Sequence, residues 1–270
     1  MQERQLNRRQ YFNELATTCE KYYIPYISRT KPITSGMRIL EVGCGDGGNL
    51  LPFSRMGCET IGVDISETRI QDARRFFKEE DAKGEFIASD VFLLDDLKGS
   101  FDVILCHDVI EHIDDKQGFL GKLHTFLKDD GIVFMSFPAW QMPFGGHQQI
   151  CKSKLLSHLP FFHLLPKGLY RRILVWGGES NGCIEELMNI KQTRCPIELF
   201  EKCLRATSLR ILTRTRYFIN PHYEIKFGLR PRKLTSLIGN IPYIRNFFTT
   251  SNFYILGLNV TAYKQKAAES

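Results

Sequence analysis

The chain has 270 residues, enough for one filled core with a smaller accessory part. Apolar residues make up 43% and charged residues 24%, which excludes a disordered chain, and no apolar run reaches the ~18 residues of a membrane-spanning helix. The net charge of +6 is uneven: residues 1–140 carry 17 Lys/Arg against 23 Asp/Glu and residues 141–270 carry 19 against 7, so the two halves are built for different partners.

The opening segment, MQERQLNRRQYFNELA, is polar and helical in character and lacks the apolar centre of a secretory signal. A cytoplasmic protein is expected. Leu6, Tyr11, Leu15 and Cys19 recur at roughly helical spacing within a predicted helical cap over 1–35. MRILEV (37–42) is a compact apolar run before a glycine cluster and reads as a buried strand. A helix is predicted over 47–56, then a strand at 58–64. Ser66 caps a helix whose inner face carries Ile70, Ala73 and Phe77. Strands follow at 85–90 and 101–108, an amphipathic helix at 115–128 and a fifth strand at 132–138.

Strands alternating with helices predict a parallel sheet covered on both faces, and near-continuous apolar strands agree with that. The rhythm changes after Pro138. Residues 141–209 read as a basic, aromatic lid, with helical spacing returning near 184–190 and 195–208. Two further strands, 210–219 and 253–264, flank an irregular, proline-bearing stretch at 220–251. The expected architecture is α/β and doubly wound: a mostly parallel, seven-stranded sheet, a core at 36–140, a lid at 141–209, and closing strands within 210–264 interrupted by a second insertion. Eight cysteines, none spaced CxxC and several inside apolar runs, read as reduced buried thiols rather than as disulfides or a zinc site.

The chemistry concentrates at the predicted strand ends. ILEVGCGDGGNL (39–50) runs from a strand into Gly43, Gly45, Gly47 and Gly48, where the backbone turns tightly and approaches a ligand closely. The dinucleotide fingerprint is GxGxxG; here the string is GxGxGG. Glu41, two residues before the first glycine, repels a pyrophosphate and suits a cationic ligand. Asp64 ends the second strand, 23 residues after Glu41, where an acid accepts both hydroxyls of a ribose. Asp90 ends the third strand, placed for an exocyclic amine, and CHDVIEHI (106–113) follows the fourth.

With EVGCGDG (41–47), VDIS (63–66), SDV (89–91), FDVILCHDVIEHI (101–113) and LKDDGIVFMSFP (127–138), the chain resembles the class I S-adenosylmethionine-dependent methyltransferases. The resemblance covers about residues 36–140 and implies the Rossmann-like methyltransferase fold. It places Gly43, Cys44, Gly45 and Gly47 along the methionine part of S-adenosylmethionine. Asp64 then falls on the ribose, Ile65 against the adenine, Asp90 and Val91 at the base, and His107 beside the methionine or the sulfonium. In finer detail the chain resembles ubiquinone-type O-methyltransferases. Some of these hold a divalent metal through Glu-x-x-Glu-His, where this chain reads Asp108-x-x-Glu111-His112. A helical i, i+3, i+4 spacing would put these three on one face. The preferred reading is that Glu111 and His112 open the next helix, so no metal is expected. Tyr11 and Phe12 are read as core packing, with closure over the cofactor as the alternative.

His147, in MPFGGHQQ (142–149), lies where an acceptor enters, and a neutral imidazole there removes a hydroxyl proton. His147 and His112 are the catalytic candidates. The expected activity is methyl transfer to an oxygen of a small-molecule, lipid- or glycan-linked acceptor. The alternatives are N- or C-methylation, and behind them an RNA methyltransferase or an NAD-type dehydrogenase. The basic, aromatic stretch 155–176 fits an acidic or lipid-linked acceptor and peripheral contact with the inner face of a membrane. No nucleic-acid partner is expected, because no binding module for one is visible.

Overall fold

The computed structural model describes residues 7–258. Leu6 and the strand positions read at 259–264 lie outside the described residues. Helix α1 (Arg8–Thr18) is capped by the Asn7 side chain, which accepts from the Gln10 amide. It runs through a wide turn at Cys19–Tyr23 into α2 (Ile24–Ser28). Strand β1 (Arg38–Val42) leads through the glycine turn to α3 (Leu51–Arg55), and β2 (Glu59–Asp64) to α4 (Glu67–Glu79). The Ser66 hydroxyl accepts from the Arg69 amide and caps α4 as its sequence predicts. Strands β3 (Glu85–Ala88) and β4 (Phe101–His107), helix α5 (Lys116–Phe126) and strand β5 (Leu127–Phe137) complete the alternating half.

The parallel strands stand in the order β3-β2-β1-β4-β5. Their alternating residues feed two cores, because successive side chains point to opposite faces. Ile39, Val103, Leu105 and Phe134 face Phe12, Tyr23, Phe76 and Phe77, so α1, α2 and α4 cover that side. Leu40, Val42, Ile104 and Cys106 face Phe119, Leu123 and Phe126 of α5 on the other side. Phe200 and Leu204 of a later helix join the second core.

The second half adds α6 (Lys154–His158), α7 (Lys167–Trp176), α8 (Asn181–Thr193) and α9 (Ile197–Arg205). The first three enclose a small core of their own around Phe162, Tyr170, Leu174 and Leu187. The chain then forms β6 (Leu209–Ile219), α10 (His222–Phe227), β7 (Arg232–Lys233), α11 (Ser236–Gly239), α12 (Ile244–Phe247) and β8 (Ser251–Leu258). β8 pairs antiparallel with β5 and carries β6, also antiparallel, on its outer side.

The sheet is therefore eight-stranded, not seven-stranded. The addition is β7, two residues inside the stretch expected to be irregular, paired with Tyr217 and Ile219 of β6. The residue before it, Pro231, lacks an amide hydrogen and so masks the strand in the sequence. Among the described residues no helix is long and apolar enough to cross a membrane.

Candidate active site

The neighbour order reverses between β1 and β4, and open α/β sheets leave a crevice at the carboxyl ends of strands there. Glu41, in β1, is 1% exposed. One carboxylate oxygen accepts from Asn49 Nδ2 at 2.7 Å and the other has no partner. Burial pushes this carboxyl up to about 8; Asp64 adds to the shift and the Asn49 bond opposes it.

The turn that follows needs its glycines. Gly43, Gly45 and Gly47 have φ of +72°, +52° and +83°, the left-handed region. A Cβ on Gly43 would stand 2.2 Å from Val109 Cγ2. The Cys44 thiol is buried against Gly62 of β2, so Cys44 offers the crevice its backbone alone.

Asp64 is held from both sides: Oδ2 accepts from the Gly45 amide and Oδ1 from the Ser66 amide, each at 2.9 Å. Each oxygen keeps a second lone pair. Ile65 beside it is 82% exposed, a bare apolar surface at the sheet's edge. Exposed Asp90 caps the turn Val91–Leu93 by accepting from the Phe92 amide at 3.0 Å, and Val91 is buried beneath it. The structure thus brings Glu41, the glycine turn, Asp64, Ile65 and Asp90 to the tips of three neighbouring strands.

His107 is placed differently. It is buried at the end of β4, with Nε2 2.8 Å from the Tyr23 hydroxyl and its ring 5.3 Å from that of Tyr23. The open position falls to Asp108, an exposed residue held at φ +53°.

A cavity of about 530 Å³ adjoins the glycine turn. Tyr11 of α1, Asp46, Arg69, Asp108, Phe144 and His147 line it, with His222 and Tyr223 from the second insertion. Tyr11 and Phe12 therefore part company: Tyr11 faces the cavity, whereas Phe12 packs on Phe76 and Phe77 in the core. The sequence reading missed Arg8, Asp46 and Arg69. Asp46 is 1% exposed and pairs with Arg8 at 2.8 Å, and the Arg69 guanidinium lies across Gly45. The available signal was a charged residue, Asp46, inside the glycine cluster.

The alternative Asp108, Glu111, His112 face is not formed, and Glu111 and His112 do not open the next helix, which begins at Lys116. Asp108 sits at a left-handed break and Ile110–His112 is a tight 3-10 turn, so the i, i+3, i+4 geometry of an α-helix is absent. His147, from the loop after β5, takes the place of Asp108. Donor atoms of Glu111, His112 and His147 all lie within 4.8 Å of one another, enough to hold a cation. His147 Nε2 is 3.9 Å from Glu111 Oε1, and the two histidine rings meet edge to face at 5.0 Å. Gly146 lets this loop press on His163, since a Cβ there would stand 2.2 Å from His163 Cβ.

Glu111 is buried with both carboxylate oxygens unpartnered. Burial, with Asp108 second, pushes its pKa well up. Burial, reinforced by His112 and His163, pushes His147 down to about 3, and burial also lowers His112. The neutral imidazoles each keep an accepting nitrogen at the cavity wall, and the protonated Glu111 carboxyl beside them is a hydrogen-bond donor.

Residues 10–163 match the methyltransferase domain family, more than half of the chain, and the protein belongs to that family. A ubiquinone biosynthesis O-methyltransferase from Mesorhizobium japonicum is 37% identical over 101 residues, 37% of this chain and 41% of that protein. The match thus spans about two-fifths of that relative. Among solved structures, geranyl diphosphate methyltransferase in complex with SAM is similar with a TM-score of 0.56 at 15% identity, covering 90% of this chain and 85% of the other. A putative sarcosine dimethylglycine methyltransferase from Galdieria sulphuraria gives 0.57 at 12% identity, covering 87% and 83%. These likenesses show the Rossmann-like methyltransferase fold.

Proposed function

We propose that the protein transfers a methyl group from S-adenosylmethionine to an oxygen of a small acceptor held in the cavity beside the glycine turn. The observation that carries this reading is the juxtaposition of Glu41, three left-handed glycines and Asp64 on adjoining strand tips next to that cavity. The residues present fit the cofactor. The left-handed turn at Gly43, Gly45 and Gly47 presents backbone at the strand tip, Asp64 keeps a lone pair on each oxygen for ribose hydroxyls, and Ile65 offers an apolar face to a base. When bound, the cofactor supplies an already activated methyl, so the chain's own work is alignment and proton removal.

That work falls to the cavity wall. His147, neutral at physiological pH, accepts the proton of an acceptor hydroxyl, with the Glu111 carboxyl 3.9 Å from its Nε2. His112 limits the ring's other movement from its edge-on position. Oxygen as the accepting atom is supported by this base and by the name of the Mesorhizobium relative. A proton on Glu111 removes its buried charge; if a divalent cation sits there instead, chelation abolishes turnover.

A lipid-linked acceptor is favoured by the lid. Leu155 and Trp176 are 72% and 80% exposed, and Arg171 and Arg172 are exposed on α7 between them. Apolar side chains flanked by cations are the composition of an interfacial segment. Calorimetry with S-adenosylmethionine and its demethylated product tests the assignment. Both should bind, and Asp64→Ala should weaken them by ~1–3 kcal/mol through lost charge-assisted bonds. No heat from either ligand would sink the proposal, and unchanged affinity in Asp64→Ala would remove Asp64 from the site. A panel of hydroxyl, amine and carbon acceptors then separates O-, N- and C-methylation.

A further inference from the structure

Away from the strand tips, the lid core brings together a group of side chains that methyl transfer does not use. Cys151 follows the turn that His147 opens, Glu179 lies between α7 and α8, and Cys183 is in the first turn of α8. The chain separates Cys151 and Cys183 by thirty-one residues, yet both sulfurs and a Glu179 oxygen lie within 4.8 Å of one another. Cys151 is fully buried and Glu179 is 7% exposed. The Glu179 oxygens are fixed by the amides of Lys152 and Ser153, each at 2.9 Å, which aims the carboxylate's remaining lone pairs without neutralising it. Among the described residues no Lys or Arg pairs with it.

A second observation converges on the same place. Tyr170 is completely buried and its hydroxyl has no hydrogen-bond partner. It belongs to the same buried cluster as Cys151, with Cys183 packed against that cluster. The surroundings are otherwise apolar: Leu156, Phe162, Leu174, Ile184 and Leu187. The orphaned Tyr170 phenol is destabilising in such a core, since a buried hydroxyl without a partner is uncompensated.

We propose that Cys151, Cys183 and Glu179 form a site for a thiophilic divalent cation, zinc being the fitting one, with water or the Tyr170 hydroxyl at the fourth position. Two sulfurs and one carboxylate oxygen are a donor set that zinc takes, in tetrahedral geometry with Zn–S near ~2.3 Å and Zn–O near ~2.0–2.2 Å. The donors need to close by an order of ~1 Å from their present spread, within reach of small side-chain rotations. On binding, each Sγ–H proton leaves to solvent and each sulfur bonds the metal as a thiolate. The three negative donors then exceed the cation by one charge, which the Lys191 ammonium, over the Tyr170 ring at 5.4 Å, offsets from nearby. Because binding releases the thiol protons, metal uptake strengthens with rising pH.

The site has a structural consequence. It ties the segment just after His147 to the start of α8, and Ser180 and Cys183 line the cavity that His147 faces. A bound cation would fix the lid wall in place, but the inference stands apart from methyl transfer and is tested without it.

The experiment uses the full chain, freshly reduced and freed of metal, titrated with Co²⁺ as a spectroscopic probe and with Zn²⁺ in competition against a chromogenic chelator. One equivalent of Co²⁺ should bind with intense sulfur-to-cobalt charge-transfer absorption, and Zn²⁺ should displace it. Cys151→Ser and Cys183→Ser should each weaken binding by about a hundredfold or more, as loss of one of four ligands does. Tyr170→Phe should weaken it by about tenfold. His147→Ala should leave the charge-transfer bands intact, which separates this site from the Glu111, His112 and His147 cluster. The wild-type spectrum decides the matter even where a cysteine variant does not fold. Failure to take up one equivalent, cobalt binding without sulfur bands, or sulfur bands that persist in a folded Cys151→Ser/Cys183→Ser chain overturns the proposal.

Discussion

Replacing Gly43 with alanine perturbs the glycine turn through two separable effects. The residue sits at φ +72°, where an L side chain costs roughly 1–2 kcal/mol. The new Cβ would also lie 2.2 Å from Val109 Cγ2, short of the ~3.5–4.0 Å that carbon atoms prefer. Relieving that overlap moves Val109 and the backbone on either side of it, a strain of about 1–3 kcal/mol by analogy with overpacked cores. Gly43→Ala should therefore destabilise by ~2–5 kcal/mol in urea unfolding followed by linear extrapolation. In a Val109→Ala background the overlap disappears and only the left-handed strain of ~1–2 kcal/mol remains. The two changes should couple by ~1–3 kcal/mol in a double-mutant cycle. If they add within ~0.5 kcal/mol, the close approach of the turn to Val109 is not what requires glycine, and the reasoning fails.

Glu41→Gln should stabilise the ligand-free protein more at pH 8 than at pH 5. The folded carboxyl titrates near 8 against an unfolded 4.5, so the unfolded chain ionises first and stability falls as pH rises between the two, by about 1.4 kcal/mol per unit at most. The same variant should bind S-adenosylmethionine more weakly, and calorimetry alongside urea melts checks both signs. His147→Ala should lower kcat by ~10²–10⁴ with little change in cofactor affinity. With His147 down near 3, the unfolded histidine takes up a proton first as the pH drops below 6.5; stability therefore falls from about 6.5 toward 3, and His147→Gln should flatten that limb of the curve. Trp176→Ser with Leu155→Ser should cut co-sedimentation with anionic phosphatidylglycerol vesicles several-fold while leaving calorimetric cofactor binding unchanged; equal sedimentation would remove the lid from membrane contact.

The alternating half of the fold was legible because each unit writes its period into the chain. Runs such as Ile39 to Val42 and Val103 to Cys106 are apolar on both faces, and the sheet sandwiches them between two cores. The Ser66 cap and the α5 face were local features and could be read locally. What depended on distant partners could not. β7 is too short to carry a pattern and exists because β6 offers it an edge. The Glu111–His147 approach joins a turn after β4 to a loop after β5, and spacing within 108–112 pointed to Asp108 instead. The aromatic lid divided in a way composition does not reveal: Phe162 and Tyr170 turn inward, whereas Phe161 and Trp176 face solvent. Cys151 and Cys183 meet only because α7 and α8 fold back on each other.

The place of β8 in the sheet bears on how the molecule is assembled during synthesis. β6 reaches the rest of the sheet through β8 alone, which slots between β5 and β6 although it leaves the ribosome after both. Until residues 251–258 emerge, the five parallel strands can collapse as a nascent nucleus while β6 has only the two-residue β7 to pair with. An exposed strand of that length is a template for pairing with other chains. The strand carries Arg210, Arg214 and Arg216, and while it is unpaired the like charge of these guanidinium groups would discourage premature association between neighbouring polypeptides.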